Sequence, residues 1–271
     1  MLEIYNTILY EPVLNLLIYL HNVVPGNDIG LAILILTVLI KVLLFPLNWQ
    51  AIKSQKALQD IQPKLEALKK KYKGDKEKLT QETMLLYKEQ KVNPLSSCLP
   101  ILIQFPFLIA VYQAFRTGLG SNDMSEYLYT FVANPEHVNT ITMYFFNLAE
   151  PSYILALLAG AAQFIQTKML STSKTKKKIP GAKDENMMAS MNKNMLYFMP
   201  LITIVIGSQL PAGLTLYWLL TTVFTAVQQK FVFARMKKDG DIEVIGPDEG
   251  KGESGKGKDG GDETPEVKKL G

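Results

Sequence analysis

The stretch Ile29–Leu47, IGLAILILTVLIKVLLFPL, is almost wholly apolar and carries one charge, Lys41. A bilayer core of about 30 Å is crossed by about 20 apolar residues in a helix, so this run reads as a membrane span. Working outward, residues 95–115 and 152–170 read the same way. The apolar stretch 196–233 is too long for one helix, and Pro211-Ala212-Gly213 divides it into 196–210 and 211–233. The fourth span is short, reaching roughly 22 Å at helical rise. The expected fold class is an all-α integral membrane protein with five transmembrane helices.

Bulk composition alone would allow a soluble chain, with 271 residues, 48% hydrophobic, and a net charge of +4. The distribution of charge decides against that. Residues 1–28 contain no Lys or Arg, 48–94 carry eleven Lys, 116–151 have Arg116 at their edge, and 171–195 carry six Lys. Positive charge gathers on the cytoplasmic side of membrane proteins, which predicts the N-terminus outside and the C-terminus in the cytoplasm. Segment 1–28 has no basic n-region or small-residue cleavage site, so it does not read as a cleavable signal. Its residues Tyr5, Ile8, Leu9, Val13, Leu16, Leu17 and Leu20 recur at three- and four-residue spacing, predicting an amphipathic helix on the outer interface. With no transit peptide in front of it, a bacterial cytoplasmic (inner) membrane is the expected location.

Segment 48–94 changes character. Leu58, Ile61, Leu65, Leu68 and Tyr72 follow a coiled-coil 3-4-3-4 spacing, and Pro63 marks a kink or break. A turn at Lys73-Gly74-Asp75 leads to a second helix over about 76–91, giving a cytoplasmic helical hairpin. Its Lys64, Lys69, Lys70 and Lys71 serve either a solvated spacer touching anionic lipid or a docking arm for ribosome and targeting factors. The tail over 234–271 reads as disordered; from Asp239 it holds five Lys against ten acids, which argues against binding ribosomal RNA. Cys98 has no partner for an internal disulfide and reads as a small packing residue. No P-loop and no specific nucleic-acid signature occurs, and no cofactor, metal or catalytic residue is expected.

Lys41 lies about seven residues before Asn48, some ~10 Å from the cytoplasmic end of its span. Snorkelling toward that end is disfavoured, because helical side chains tilt toward the N-terminus, here the outer side. An ammonium at mid-membrane costs ~2.5–3.5 kcal/mol or more, yet no Asp or Glu occurs in any expected span. Neutral polar residues stand in for one. Thr37, Lys41 and Asn48 share a face, and Ser97 and Gln104 share another. Gln163 and Gln166 are followed by Thr167, and Thr215, Trp218, Thr222, Thr225 and Gln229 form a stripe. Any one of these serves readily as interhelical glue. Together, around one unpaired cation, they predict a water-filled cavity opening inward.

Several stretches carry a resemblance. They are Leu43-Leu44-Phe45-Pro46-Leu47 after the mid-span cation, LQDIQPKLEALKKKYK from Leu58 to Lys73, YKEQKVNPLSSCLPILIQFPFLIAVY from Tyr87 to Tyr112, and PAGLTLYW from Pro211 to Trp218 with Gln228-Gln229 beyond. Together, over roughly residues 25–235, they closely resemble the YidC/Oxa/Alb family of membrane protein insertases, in the shorter form without a large periplasmic domain. The resemblance implies a hydrophilic groove, open to cytoplasm and lipid and closed outside. That groove would receive the polar tail of a nascent membrane protein while the apolar segment slides along the third and fifth spans. Implied groove residues are Lys41, Thr37, Gln104, Gln163, Gln166, Trp218, Thr222 and Thr225. Implied partners are nascent membrane proteins, ribosome, signal-recognition components, the Sec translocon and membrane lipids. Two positions depart from the family. Lys41 stands where Arg is usual, which keeps the charge but loses bidentate carboxylate recognition, and Thr222 stands where Asn is usual.

Two other classes share some of these features. A secondary transporter normally shows inverted repeats and intramembrane carboxylates, which this chain lacks. A holding chaperone beside a translocon would share the fold without inserting clients on its own.

Overall fold

The computed structural model describes residues 2–93, 99–118, 124–135, 137–142, 146–170 and 196–239. Ser97, Cys98, the Lys-rich segment 171–195 and the tail beyond 239 lie outside the described residues. The described chain is mostly helical. Helix α1 (Leu2–Tyr5) runs through a π-helical stretch, Asn6–Tyr10, into α2 (Glu11–Val23). There follow α3 (Ile29–Leu43), α4 (Phe45–Asp60), α5 (Gln62–Lys71), α6 (Lys76–Glu89) and α7 (Leu99–Gly118). Strands β1 (Ile141–Thr142) and β2 (Phe146–Asn147) pair antiparallel, and α8 (Tyr153–Leu170), α9 (Leu196–Gly207) and α10 (Ala212–Asp239) complete the order.

By length and composition, α8 can cross a membrane by itself, and α3 with the helices after it passes as a pair bent by 69°. α9 is a shorter apolar helix. Large apolar side chains stay exposed on several helices, among them Leu43 (71%) on α3, Tyr153 (74%) on α8 and Val227 (62%) on α10. Apolar surface of that extent suits a lipid-facing exterior.

Helix α3 starts at Asp28, whose carboxylate caps it by accepting from the Leu31 amide at 3.0 Å. The helix read from sequence as running to Leu47 ends four residues sooner. Pro46 has no N–H to give to the preceding turn, so the chain bends at Leu44 (φ −85°, ψ 2°) and restarts with proline in the first turn of α4. Pro63 acts likewise, with a break at Ile61 and the proline in the first turn of α5. Leu58, Ile61, Leu65 and Leu86 form the buried seam between α4–α5 and α6, flanked by Leu68, Tyr87 and Val92. Gly74 takes φ +92° in the turn, a conformation that favours glycine, and Asp75 caps α6 through the Lys78 amide.

The segment expected to lie on the membrane surface is packed into the protein. Leu14, Leu17 and Ile18 are fully buried, in a core shared with Ile33 and Leu36 of α3, Val111 and Phe115 of α7 and Tyr217 of α10. Ile8, counted on the apolar face, is 65% exposed. Tyr5 Oη donates to the Pro106 carbonyl at 3.5 Å and Tyr10 Oη to Thr117 Oγ1 at 2.8 Å, so the N-terminal helix runs along α7.

The loop after α7 is tied to that helix. Asn15 Nδ2 donates to the Tyr127 carbonyl at 2.8 Å, and its Oδ1 accepts from the Tyr129 amide at 2.6 Å. Asn22 holds the Ala133 carbonyl at 2.7 Å, and Thr142 Oγ1 donates to Asp28 Oδ1 at 2.5 Å. The amides of Ala212 and Gly213 donate to Glu150 and Leu148 carbonyls, which ties the start of α10 to the same layer. The short β1–β2 pair belongs to it too and was not expected from the sequence.

Residues 234–239, read from sequence as the start of a disordered tail, are the last turns of α10. Ile52, Val232 and Met236 form a buried cluster there, with Trp49 and Phe233 against it. Trp49 also meets the Phe231 ring at 6.1 Å between centroids and the Arg235 guanidinium at 5.8 Å. This packing between α4 and α10 carries the helix past the apolar run.

Candidate functional site

Lys41 is 5% exposed, in the last turn of α3. Its ammonium donates to Gln104 Oε1 of α7 at 3.1 Å and to Thr225 Oγ1 of α10 at 3.0 Å. Gln104 Nε2 in turn donates to Tyr217 Oη at 2.7 Å, and Thr225 Oγ1 donates to the Thr221 carbonyl at 2.7 Å. The donor directions are mutually consistent. Because the amide oxygen faces an obligatory donor, its nitrogen must face the phenol oxygen. An ammonium has three N–H groups, and two are taken up here by neutral oxygens.

The remaining candidates fall into separate places. Thr37 is fully buried one turn before Lys41 and bonds back to the Ile33 carbonyl at 2.7 Å. Thr222 bonds back to the Trp218 carbonyl at 2.9 Å. Trp218 itself is half-buried. Thr215, expected in the polar stripe, donates to the Gly207 carbonyl of α9 at 3.0 Å, which is interhelical glue. Gln163 and Gln166 lie half-buried on α8, which packs along α10, and form no hydrogen bond with the Lys41 cluster among the described residues. Asn48 is buried, with its Nδ2 atom unpartnered among the described residues, and Gln229 is buried with its Oε1 likewise unpartnered. Unpaired buried amides of this kind are places for water or a visiting polar group.

Tyr217 was passed over in the sequence, although it is buried and completes the network. Its signal was the four-residue spacing of Tyr217, Thr221 and Thr225, a face adjoining the one read as the stripe. Among the hairpin lysines, Lys64 donates to Gln90 Oε1 of the opposite arm at 3.2 Å. Lys69 is half-buried, Lys70 and Lys71 are exposed, and the Lys71 ammonium sits 5.1 Å from the Tyr72 ring centre.

Residues 19–239 match the family described as 60Kd inner membrane protein. The chain belongs to that family. It is 39% identical over 212 residues to a membrane protein insertase YidC of Fusobacterium nucleatum, covering 78% of this chain and 88% of that one. A membrane protein insertase YidC of Oceanobacillus iheyensis is 38% identical over 238 residues, covering 83% and 82%. The membrane protein insertase MisCA of Bacillus subtilis is 34% identical over 223 residues, covering 80% and 74%. The match to the 60Kd inner membrane protein family, over residues 19–239, spans the helices that carry Lys41, Gln104 and Thr225.

Proposed function

We propose that this chain is a membrane protein insertase of the bacterial cytoplasmic membrane, with five spans, N-terminus outside and C-terminus in the cytoplasm. The relatives named membrane protein insertase support the activity. The observation that carries the mechanism is the buried Lys41 ammonium, held by neutral oxygens and, among the described residues, keeping one N–H for a further acceptor. A cation so held is costly in a low-dielectric setting until an anion arrives.

The acidic residues of a nascent chain's polar tail supply that anion. They enter from the cytoplasm through a groove lined by Lys41, Thr37, Gln104, Thr225, Thr222, Trp218, Gln163 and Gln166. The tail crosses a shortened apolar distance while the hydrophobic segment slides along α8 and α10 into lipid. The membrane potential adds ~2.3 kcal/mol per 100 mV for each negative charge carried outward. Binding and release drive the cycle, with no catalytic residue, metal or cofactor. The hairpin with Lys64, Lys69, Lys70 and Lys71 meets the ribosome or signal-recognition components, and some clients come by way of the Sec translocon.

The test is reconstitution of the purified protein alone in lipid vesicles with a small single-span substrate bearing an acidic N-terminal tail. The substrate should insert, and Lys41→Glu should reduce insertion about tenfold or more while Lys41→Arg preserves it. Normal insertion by Lys41→Glu would refute the electrostatic step, and no insertion by the unmodified protein would favour a holding chaperone.

A further inference from the structure

On the far side of α7 from the Lys41 network, a cleft of about 450 Å³ opens between the π-helical stretch, the last turns of α7 and the Ser125–Tyr127 turn. Two opposite charges line it from different elements. Arg116 comes from the last turn of α7 and Glu126 from the turn, both exposed, with no ion pair between them among the described residues. The Asn6 side chain adds an amide to the lining. Gln113 contributes a buried Oε1 that has no hydrogen-bond donor among the described residues. Tyr10 and Tyr127 form one wall, with ring centroids 5.6 Å apart and planes at 72°. That wall is fixed from behind, by Tyr10 on Thr117 and by buried Asn15 on the Tyr127 carbonyl.

The surroundings of the cleft are apolar. Leu102, Phe105 and Tyr112, 63%, 56% and 37% exposed, lie along the α7 face that ends in Arg116, at spacings of three, seven and four residues. Ile4 and Ile8, on either side of Asn6, are 63% and 65% exposed. A polar, doubly charged cleft at the end of an exposed apolar strip matches an amphiphile with a zwitterionic head. We propose that this cleft holds the headgroup of a primary-amine phospholipid. Arg116 and the Asn6 amide donate to its phosphate, and Glu126 and Gln113 Oε1 accept from its ammonium. The acyl chains lie along Phe105 and Tyr112. A headgroup with a glycerol in place of the amine still offers O–H donors but no positive charge for the Glu126 carboxylate, so the site favours the amine through its charge-assisted bond.

This rests on the membrane reading above and not on the groove, so the experiment measures lipid and not insertion. The full-length protein is equilibrated with equal phosphatidylethanolamine and phosphatidylglycerol in mixed micelles, and retained lipid is read by native mass spectrometry. The unmodified protein should retain one phosphatidylethanolamine, about tenfold over phosphatidylglycerol. Arg116→Gln should lose both lipids, Glu126→Gln should retain lipid with the preference erased, and Gln113→Leu should retain lipid with the preference only reduced. Arg116 and Glu126 are exposed, so unchanged melting of their variants verifies the fold. Equal retention of the two lipids by the unmodified protein, or undiminished retention by Arg116→Gln, would overturn the proposal. Displacement by free phosphoethanolamine would reassign the site to a soluble phosphate ligand and overturn the lipid assignment.

Discussion

Lys41 Nζ lies 3.0 Å from Thr225 Oγ1, although 184 positions separate the two in the chain. The contact joins the last turn of α3 to the middle of α10, and Gln104 brings in α7 from the other side. Three helices thus meet on one ammonium.

Gln104 is the hinge of that arrangement, because it accepts from Lys41 and donates to Tyr217. Gln104→Leu removes both partners and should cost ~1–3 kcal/mol of stability, seen as a lower thermal midpoint in detergent. Gln104→Glu should behave oppositely. It places a carboxylate against the ammonium, so the midpoint holds or rises while vesicle insertion of an acid-tailed client drops about tenfold. Loss of both together would mean that the cation's free valence is irrelevant.

Gly160 lets α8 and α9 approach closely. A Cβ at this position would stand 2.3 Å from Ile204 Cγ1 and 3.1 Å from the Pro200 carbonyl oxygen. Gly160→Ala should destabilise the protein by ~1–3 kcal/mol through overpacking. Adding Ile204→Ala should return part of that loss, since the side-chain clash is the larger. The thermal midpoints of the single and double variants decide the matter.

Asn15 is buried, and its side chain satisfies backbone groups of Tyr127 and Tyr129. Asn15→Ala strands an amide and a carbonyl at about 1–3 kcal/mol. The segment around residues 124–133 should then be cut faster by a protease added from its own side of the vesicle. An unchanged cutting rate would show that Asn22 and Asp28 suffice to hold it.

Leu65 is 5% exposed in the hairpin seam. Leu65→Ala should cost about 2–5 kcal/mol locally. Hydrogen exchange should accelerate across α5 and α6 and stay unchanged across α3 and α10, because the hairpin core is separate from the main one.

How far these features could be read without coordinates differs by kind. The break near Pro63, the Gly74 turn and the Leu58–Leu65 seam were legible, because proline, positive φ and heptad spacing act within a few residues, whereas the break before Pro46 was missed inside a continuous apolar run. The continuation of α10 past Phe233 was not, since Met236 is held by Ile52 from far away in the chain.

The apolar runs and the Lys asymmetry reside in the sequence itself, because transfer free energies and loop charges add up residue by residue along the chain. The isolation of Lys41 from any carboxylate in the expected spans was also plain there, as a matter of counting. Which neutral groups answer it was settled only in three dimensions. Helical spacing ranked Thr222 and Thr225 alike, yet Thr222 bonds its own backbone while Thr225 reaches the ammonium. Partner choice depends on how α3, α7 and α10 are rotated and slid against one another. That register is set by long-range packing around Tyr217, Phe115 and Leu36, which no periodicity encodes.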